Sequence, residues 1–183
     1  MSPRITADVL AAAQAGDGDA FRLIYQEIAP AILGYLTAKG VADSEAATSD
    51  VFLALLPQLP TVTGGPSGLR TLVFSIAHAR MVDHHRARSR RPETFEYDPA
   101  TDLRSSPSAE HTALESIESR SVRELLAELP QEQREVLMLR LIADLTVSQV
   151  AEVMGKTEGA VKQHQRRGLL ALRELLRTRQ VTL

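Results

Sequence analysis

Apolar residues recur three and four positions apart along most of the chain, which predicts α-helices. In the first half this spacing predicts helices at about residues 5–15, 19–40, 43–56 and 69–88. Asp19 is expected to cap the second helix, and Pro30 is expected to kink it. Residues 61–68 contain three glycines and one proline, so we expect a loop there.

The second half is also predicted to be helical, at about residues 109–128 and 131–141, and its clearest pattern follows at residues 145–164. Thr146 and Gln149 have the spacing of a capping box, which marks the start of a helix. Gly155 is expected to end that helix in a left-handed conformation, and Thr157 to open the next one two residues later. Two capped helices joined by a short glycine turn are typical of a DNA-binding helix-turn-helix.

The second helix of this motif has a buried face and a polar face. Val161 marks the predicted buried face, on which Gln165, Gly168 and Leu172 also fall, with His164 at its edge. The opposite face carries Lys162, Gln163, Arg166 and Arg167. These side chains can bind phosphates and base edges. A solvated helix face can have the same composition, but the tight turn upstream favours DNA binding.

Composition supports an all-helical protein and separates two basic regions. The chain has 183 residues and no cysteine, 44% of it is hydrophobic, and only 4% is aromatic. The net charge of −2 hides a strongly acidic segment between the two halves. Residues 91–109 within it contain three prolines and no helical period, which indicates a linker. We therefore predict a domain at 1–91, a linker at 92–109 and a second domain at 110–183.

Several blocks resemble the extracytoplasmic-function sigma factors of bacterial RNA polymerase. The most specific runs from Leu129-Pro130 through Gln133-Arg134-Glu135-Val136-Leu137 into the helix-turn-helix, and is similar to region 4 of that family. Gly16-Asp17 with Ala20-Phe21 and Ile24-Tyr25 resembles the start of region 2. Val51-Phe52, the glycine-rich loop and Phe74-x-Ile76-Ala77 follow in the family's order. The resemblance implies an all-α fold of two small helical domains.

The resemblance implies two DNA contacts. The upstream (−35) promoter element would be read by the second helix of the helix-turn-helix, at Thr157, Lys162, Gln163, Arg166 and Arg167. The −10 element would be bound by the glycine-rich loop and the exposed face of the long helix, at Thr63, Gly64, Ser75, His78, Ala79, Val82, Arg86 and Arg88. A base extruded from the opened duplex would be held beside this loop.

The resemblance also implies protein partners. The clamp of the polymerase's largest subunit would bind the third helix, at Asp43, Glu45, Ser49, Asp50 and Leu53. The flap of the second-largest subunit and an anti-sigma factor are the other expected partners. The segment from Ala46 to Asp50 departs from the usual Asp-Leu-Val-Gln-Glu run of the family. For that reason a sigma-like mimic that sequesters an anti-sigma factor stays open as an alternative.

Other functional classes find little support in the residues. No carboxylate pair, nucleophile motif or phosphate loop predicts an enzyme or a cofactor. His84 and His85 are adjacent on one helix, so they diverge too far to share a metal ion, and we predict no metal site. A dimeric helix-turn-helix repressor is the remaining alternative, and it would bind a palindrome. The chain contains no long apolar run, so we expect a cytoplasmic protein without membrane contact of its own.

Overall fold

The computed structural model describes residues 5–90 and 125–181, with side chains at 5–86 and 125–178. Within these ranges every regular element is helical, which confirms the predicted all-α class. Seven α-helices lie entirely within these ranges: α1 (Ala7–Gln14), α2 (Gly18–Ala38), α3 (Ser44–Leu55), α4 (Gly65–Arg90), α5 (Gln131–Leu141), α6 (Val147–Met154) and α7 (Glu158–Val181). The predicted linker at 92–109 lies outside the described residues, as does most of the helix predicted at 109–128.

Short polar side chains start the first three helices. Thr6 caps α1, Asp17 caps α2 and Asp43 caps α3, each by accepting hydrogen bonds from backbone N–H groups of the first turn. The prediction that Asp19 caps α2 is wrong. The carboxylate of Asp17 accepts from the N–H groups of Asp19 and Ala20, at 2.8 and 3.1 Å, so Asp19 lies inside the first turn. Pro30 lies within α2 without ending it.

The glycine-rich loop is shorter than predicted. Leu59–Thr61 forms a 3₁₀ turn, and α4 begins at Gly65 rather than near residue 69. Pro66 fits the first turn of α4, because the N–H group that proline lacks would have no partner there. Only residues 62–64 remain as a loop, so the prediction that 61–68 is irregular throughout is wrong.

Helices α2, α3 and α4 build the core of the N-terminal half. Ile24, Ile28 and Ile32 of α2 are fully buried, as the helical spacing predicts. The ring of Tyr35 packs edge-on against Phe74 of α4, with ring centroids 6.0 Å apart. This packing places α4, the longest of the described helices, against the C-terminal part of α2.

Helix α5 connects the cores of the two halves. Its four consecutive residues from Val136 to Leu139 are all 1% exposed or less, so the middle of α5 is covered on every side. The hydrophobic core is continuous from the N-terminal to the C-terminal half, and α6 packs against α4. In the described ranges, no helix combines the length and apolar character needed to cross a membrane.

Candidate nucleic-acid interface

Hydrogen bonds cap the start of α6 and the start of α7, and a left-handed glycine joins the two helices. Thr146 and Gln149 form the predicted capping box, in which Gln149 N–H donates to Thr146 Oγ1 at 3.3 Å and Thr146 N–H donates to Gln149 Oε1 at 2.8 Å. Gly155 ends α6 with a φ of 61°, a left-handed conformation that glycine adopts easily. Thr157 Oγ1 then accepts from Ala160 N–H at 3.2 Å. The backbone and caps therefore set the direction of α7.

The inward face of α7 packs closely against α5. Val161 is fully buried. Gly168 is also buried, and a Cβ atom built on it would lie 2.9 Å from Cδ1 of Leu137. His164 is half-buried at the edge of this face, with Nε2 3.0 Å from Glu132 Oε2. The predicted buried side of α7 is thus the one that contacts α5.

The outward face of α7 is open to solvent. Lys162, Gln163, Arg166 and Arg167 are exposed, as is Thr157 at the start of the helix. Lys162 Nζ lies 3.4 Å from Glu158 Oε2. An exposed pair of this kind contributes little, so it leaves the ammonium group available to another anion.

The N-terminal end of α4 closes tightly on the short loop before it. Thr63 and Gly64 are exposed, and Gly64 has a φ of 77°. A Cβ atom on Gly68 would lie 1.8 Å from the carbonyl oxygen of Thr63, so only glycine permits this approach. The two loop residues predicted to bind the −10 element are accessible, but the loop is too short to surround a base by itself.

The predicted −10 face of α4 is only partly open, contrary to the expected exposed face. Ala79 and Arg86 are exposed, whereas Ser75, His78 and Val82 are half-buried. The side chain of Arg88 lies outside the described ones.

The C-terminal half approaches α4 at His78. The imidazole Nδ1 of His78 lies 2.7 Å from Glu135 Oε1 of α5. A helical period alone could not reveal this contact, because the residues that cover His78 lie far along the chain.

Glu135 is the centre of a buried polar cluster between the two halves. Lys39 Nζ donates to its Oε2 at 2.9 Å, and the Tyr35 hydroxyl donates to its Oε1 at 2.9 Å. Burial raises the pKa of Glu135, but the hydrogen bond with His78 and the charge of Lys39 outweigh it and lower this pKa to about 2. Burial and the nearby carboxylate raise the pKa of the Tyr35 phenol. Glu135 is therefore ionised and Tyr35 remains a donor at neutral pH.

A second polar contact joins α6 to the start of α4. Gln149 Nε2 donates to Ser67 Oγ at 2.8 Å, to the Ser67 carbonyl at 3.1 Å and to Thr71 Oγ1 at 2.7 Å. Arg70 Nε donates to the carbonyl oxygen of Ala143 at 2.5 Å. Gln149 thus caps its own helix with its oxygen and bonds α4 with its nitrogen.

The predicted polymerase-binding residues line the accessible surface of α3. Glu45, Ser49, Asp50 and Leu53 are exposed, and Leu53 is 63% exposed. Asp43 is exposed too, but its carboxylate is used to cap α3, accepting from Ala46 N–H at 2.9 Å.

Two neighbouring clefts between α2 and α3 have volumes of about 560 and 260 Å³, and Tyr25 and Ser49 line both. Tyr25 and Leu56, which are also exposed there, were not among the predicted contacts.

Comparison with known proteins decides the family. Residues 125–174 match the family model for Sigma-70, region 4. The chain is 32% identical over 180 residues to the ECF RNA polymerase sigma factor SigD of Mycobacterium tuberculosis, covering 91% of this chain and 81% of SigD. It is 33% identical over 168 residues to the ECF RNA polymerase sigma factor BldN of Streptomyces coelicolor, covering 90% of this chain and 63% of BldN. The chain belongs to the ECF sigma factor family. The resemblance inferred from its motifs is confirmed.

Solved structures share the fold of this ECF sigma factor. CnrH, in complex with the cytosolic domain of CnrY, has a TM-score of 0.63 at 22% identity, covering 94% of this chain and 97% of CnrH. RpoE of Bartonella quintana, in complex with the anti-sigma factor NepR, has a TM-score of 0.64 at 18% identity, covering 86% and 96%. At these identities the likeness concerns the fold.

The contact between the halves is the feature of this sigma factor that its sequence motifs did not reveal. It borders a cleft of about 670 Å³ whose lining includes Lys39, His78, His85, Arg86, Arg134 and Glu135. One sign was present in the sequence. Glu135 lies three and four residues before Met138 and Leu139, where the side of α5 that carries it becomes apolar. A carboxylate in that position needs buried donors, and these come from α2 and α4.

Proposed function

We propose that this ECF sigma factor binds core RNA polymerase and directs transcription initiation at specific promoters, without being an enzyme itself. The observation that carries the proposal is the α7 surface, where four polar or basic side chains are exposed on a helix whose direction is fixed by a capped corner. Such a helix can enter the major groove and read base edges. We assign it the −35 element.

The long helix α4 and the loop before it are assigned to the −10 element. Thr63, Gly64, Ala79 and Arg86 are accessible for this role in the observed arrangement. His78 would join them only after Glu135 has moved away. Two weak DNA contacts on one chain reinforce each other, because the second becomes nearly intramolecular once the first has formed.

Two apolar surfaces are candidates for contacts with the polymerase. The clefts between α2 and α3 expose Leu53, Tyr25 and Leu56, and they can accept a helical element such as the clamp of the largest subunit. On α7, the exposed Leu169, Leu170 and Leu176 are candidates for the flap of the second-largest subunit. Exposed apolar patches of this kind mark protein-interaction sites.

An anti-sigma factor is proposed as a further partner, and the cytoplasm as the location. CnrH and the Bartonella quintana RpoE are both described in complexes, with the cytosolic domain of CnrY and with the anti-sigma factor NepR, respectively. The proposed polymerase and promoter contacts require the compartment that holds the chromosome.

Run-off transcription with core polymerase and fragments of genomic DNA tests the proposal. We expect specific transcripts only when the chain is added, and we expect the chain to bind core polymerase as a monomer. DNA binding as a dimer without polymerase would instead support a repressor. Capture of an anti-sigma factor with no transcript from any fragment would support the mimic.

The variant Asp50→Arg separates polymerase binding from folding. Asp50 is exposed on α3, so its replacement should leave the helical circular-dichroism spectrum unchanged while weakening association with core polymerase. Ala11→Arg, at an exposed position of α1, is the matched control and should bind normally. Equal binding by both variants would argue against the α2–α3 surface as the clamp contact.

A further inference from the structure

We propose that Glu135 is a latch that holds the free protein in a closed state, in which the C-terminal half covers His78 on the −10-binding face of α4. This inference rests on the proposed function, since it concerns access to the face assigned to promoter DNA. The latch consists of Glu135 on α5 together with Lys39, Tyr35 and His78 on the N-terminal half.

The burial of these charges gives the latch its two-state character. The side chains of Glu135 and Lys39 are 6% and 4% exposed. A charge removed from water to this extent needs nearly complete compensation, and here three donors converge on the two carboxylate oxygens. Partial separation would leave both Lys39 and Glu135 buried and unpaired. The contact is therefore either fully formed or open to water.

The chemistry of the latch makes it a competitor of nucleic acid. Lys39 offers a positive charge and His78 a ring nitrogen, and both are types of group that bind phosphate or base edges. In the closed state, a carboxylate from the protein's own α5 occupies them. DNA that reaches His78 must displace Glu135, so binding to this face and closure exclude one another.

The polar contacts that remain between the halves can be exchanged for water, whereas the apolar packing of α6 on α4 opposes opening. Gln149 binds Ser67 and Thr71, and Arg70 binds the backbone at Ala143, all through groups that water can satisfy after separation. The outward face of α7 is exposed while the latch is closed. Closure thus restricts the −10 contact and leaves the −35 contact accessible.

Single-molecule energy transfer between the halves tests the latch directly. The chain contains no cysteine, so dyes can be attached at Gln26→Cys on α2 and Arg173→Cys on α7, both exposed positions. In this background we compare the unmodified latch with Glu135→Gln. Loss of the charge should raise the ratio of open to closed molecules by about tenfold or more.

Glu132→Gln is the matched control. Glu132 is also on α5 but pairs with Lys156 and His164, both in the C-terminal half, so its loss should leave the ratio unchanged. The double variant Ser67→Ala/Thr71→Val removes the partners of Gln149 from α4 and should open the protein without altering Glu135. An unchanged ratio in Glu135→Gln, while the double variant opens the protein, would overturn the latch.

A binding experiment tests whether opening and nucleic-acid binding are linked. A short fluorescein-labelled single-stranded oligonucleotide of mixed sequence should shift the wild-type protein toward the open state, and Glu135→Gln should bind it about tenfold more tightly. Equal affinities would overturn the competition between carboxylate and nucleic acid.

The wild-type run-off assay keeps the two proposals distinguishable. Opening by Glu135→Gln without any transcript from the wild type would contradict the proposed function alone. Normal transcripts with no change in opening would contradict the latch alone.

Discussion

The two surfaces assigned to DNA differ in what covers them. The outward face of α7 contacts no other part of the described chain through its four principal side chains, apart from the Lys162–Glu158 pair within the helix. The face of α4 contacts α5 and α6, which come from the other half. The face of α7 was predicted from helical spacing and that of α4 from the family resemblance, yet only that of α7 is fully exposed.

This difference shows what helical periodicity does and does not determine. The spacing around Val161 identified the inward side of α7 because α7 packs on α5, its neighbour in the same half. The side of α4 that carries His78 is covered by Glu135, 57 positions along the chain. Accessibility at α4 therefore depends on how the halves pack, and this can change while both helices remain intact.

The largest effect on stability is expected from a variant that breaks the contact between Lys39 and Glu135. Lys39→Met removes the charge that neutralises Glu135 and should lower the free energy of unfolding by about 3–5 kcal/mol, measured by urea denaturation. Lys156→Met, which breaks the more exposed pair with Glu132, should lower the free energy of unfolding far less. Similar losses in the two variants would show that the contact between the halves contributes no more than an exposed pair.

Acid should release the same contact through Glu135 itself. The pKa of this carboxyl is lowered from 4.5 to about 2 in the closed state, so its contribution is complete above pH 4.5 and is lost as the pH falls toward 2. A pKa shift of this size corresponds to a contribution of roughly 3 kcal/mol to the free energy of unfolding. Tyr35 of α2, Lys39 directly after α2 and His78 of α4 are the groups that face it.

Energy transfer between the labelled halves should therefore decrease through this acid range. Glu135→Gln, which carries no titrating group at this position, should lack that component. An identical acid transition in the variant would contradict the role of Glu135.

The variants Arg166→Ala and Arg167→Ala test the outward face of α7. Each should weaken binding to a promoter duplex recovered from run-off transcription by about 1–3 kcal/mol. Binding to core polymerase and the open-to-closed ratio should not change. Arg173→Ala, at another exposed arginine of α7, is the control. A loss of polymerase binding in the first two variants would contradict the assignment of α7 to DNA.

The smallest effect is expected at the N-terminal cap of α6. Thr146→Ala removes one bond of the capping box and should lower stability by about 1 kcal/mol, measured by thermal unfolding. Gln149 Nε2 can still bind Ser67 and Thr71, so energy transfer between the halves should stay the same. A large increase in open molecules would show that the cap is needed to hold the contact with α4.

The caps and the turn could be predicted because each depends on residues that are close together in the sequence. Thr146, Gln149 and Gly155 each act on backbone groups within a few residues, so spacing was sufficient to predict the corner. The errors arose where one local rule competed with another. The three glycines at 61–68 favoured a loop. Pro66, however, is suited to the first turn of a helix, and α4 begins at Gly65. Asp17 and Asp19 could both cap a helix, and only the geometry distinguishes them.

The sequence predicted which residues belong to the candidate site, but it did not predict how they are arranged. Motif resemblance provided the assignments on α7, α4 and α3, and their roles stay predictions. The cluster around Glu135 depends on partners 57 to 100 positions away, a separation about which periodicity gives no information. An acidic residue on an apolar helix face shows only that a partner is required.

The left-handed turn at Gly155 has a consequence for changing promoter preference. The orientation of α7 is determined by the backbone conformation at Gly155 and by the packing of its inward face. The outward side chains therefore have no part in determining it. Lys162, Gln163, Arg166 and Arg167 can be exchanged as a set while the helix enters the groove at the same angle. Sequence readout in this protein is thus separable from its architecture, and a library randomised at those four positions would vary target choice on a constant frame.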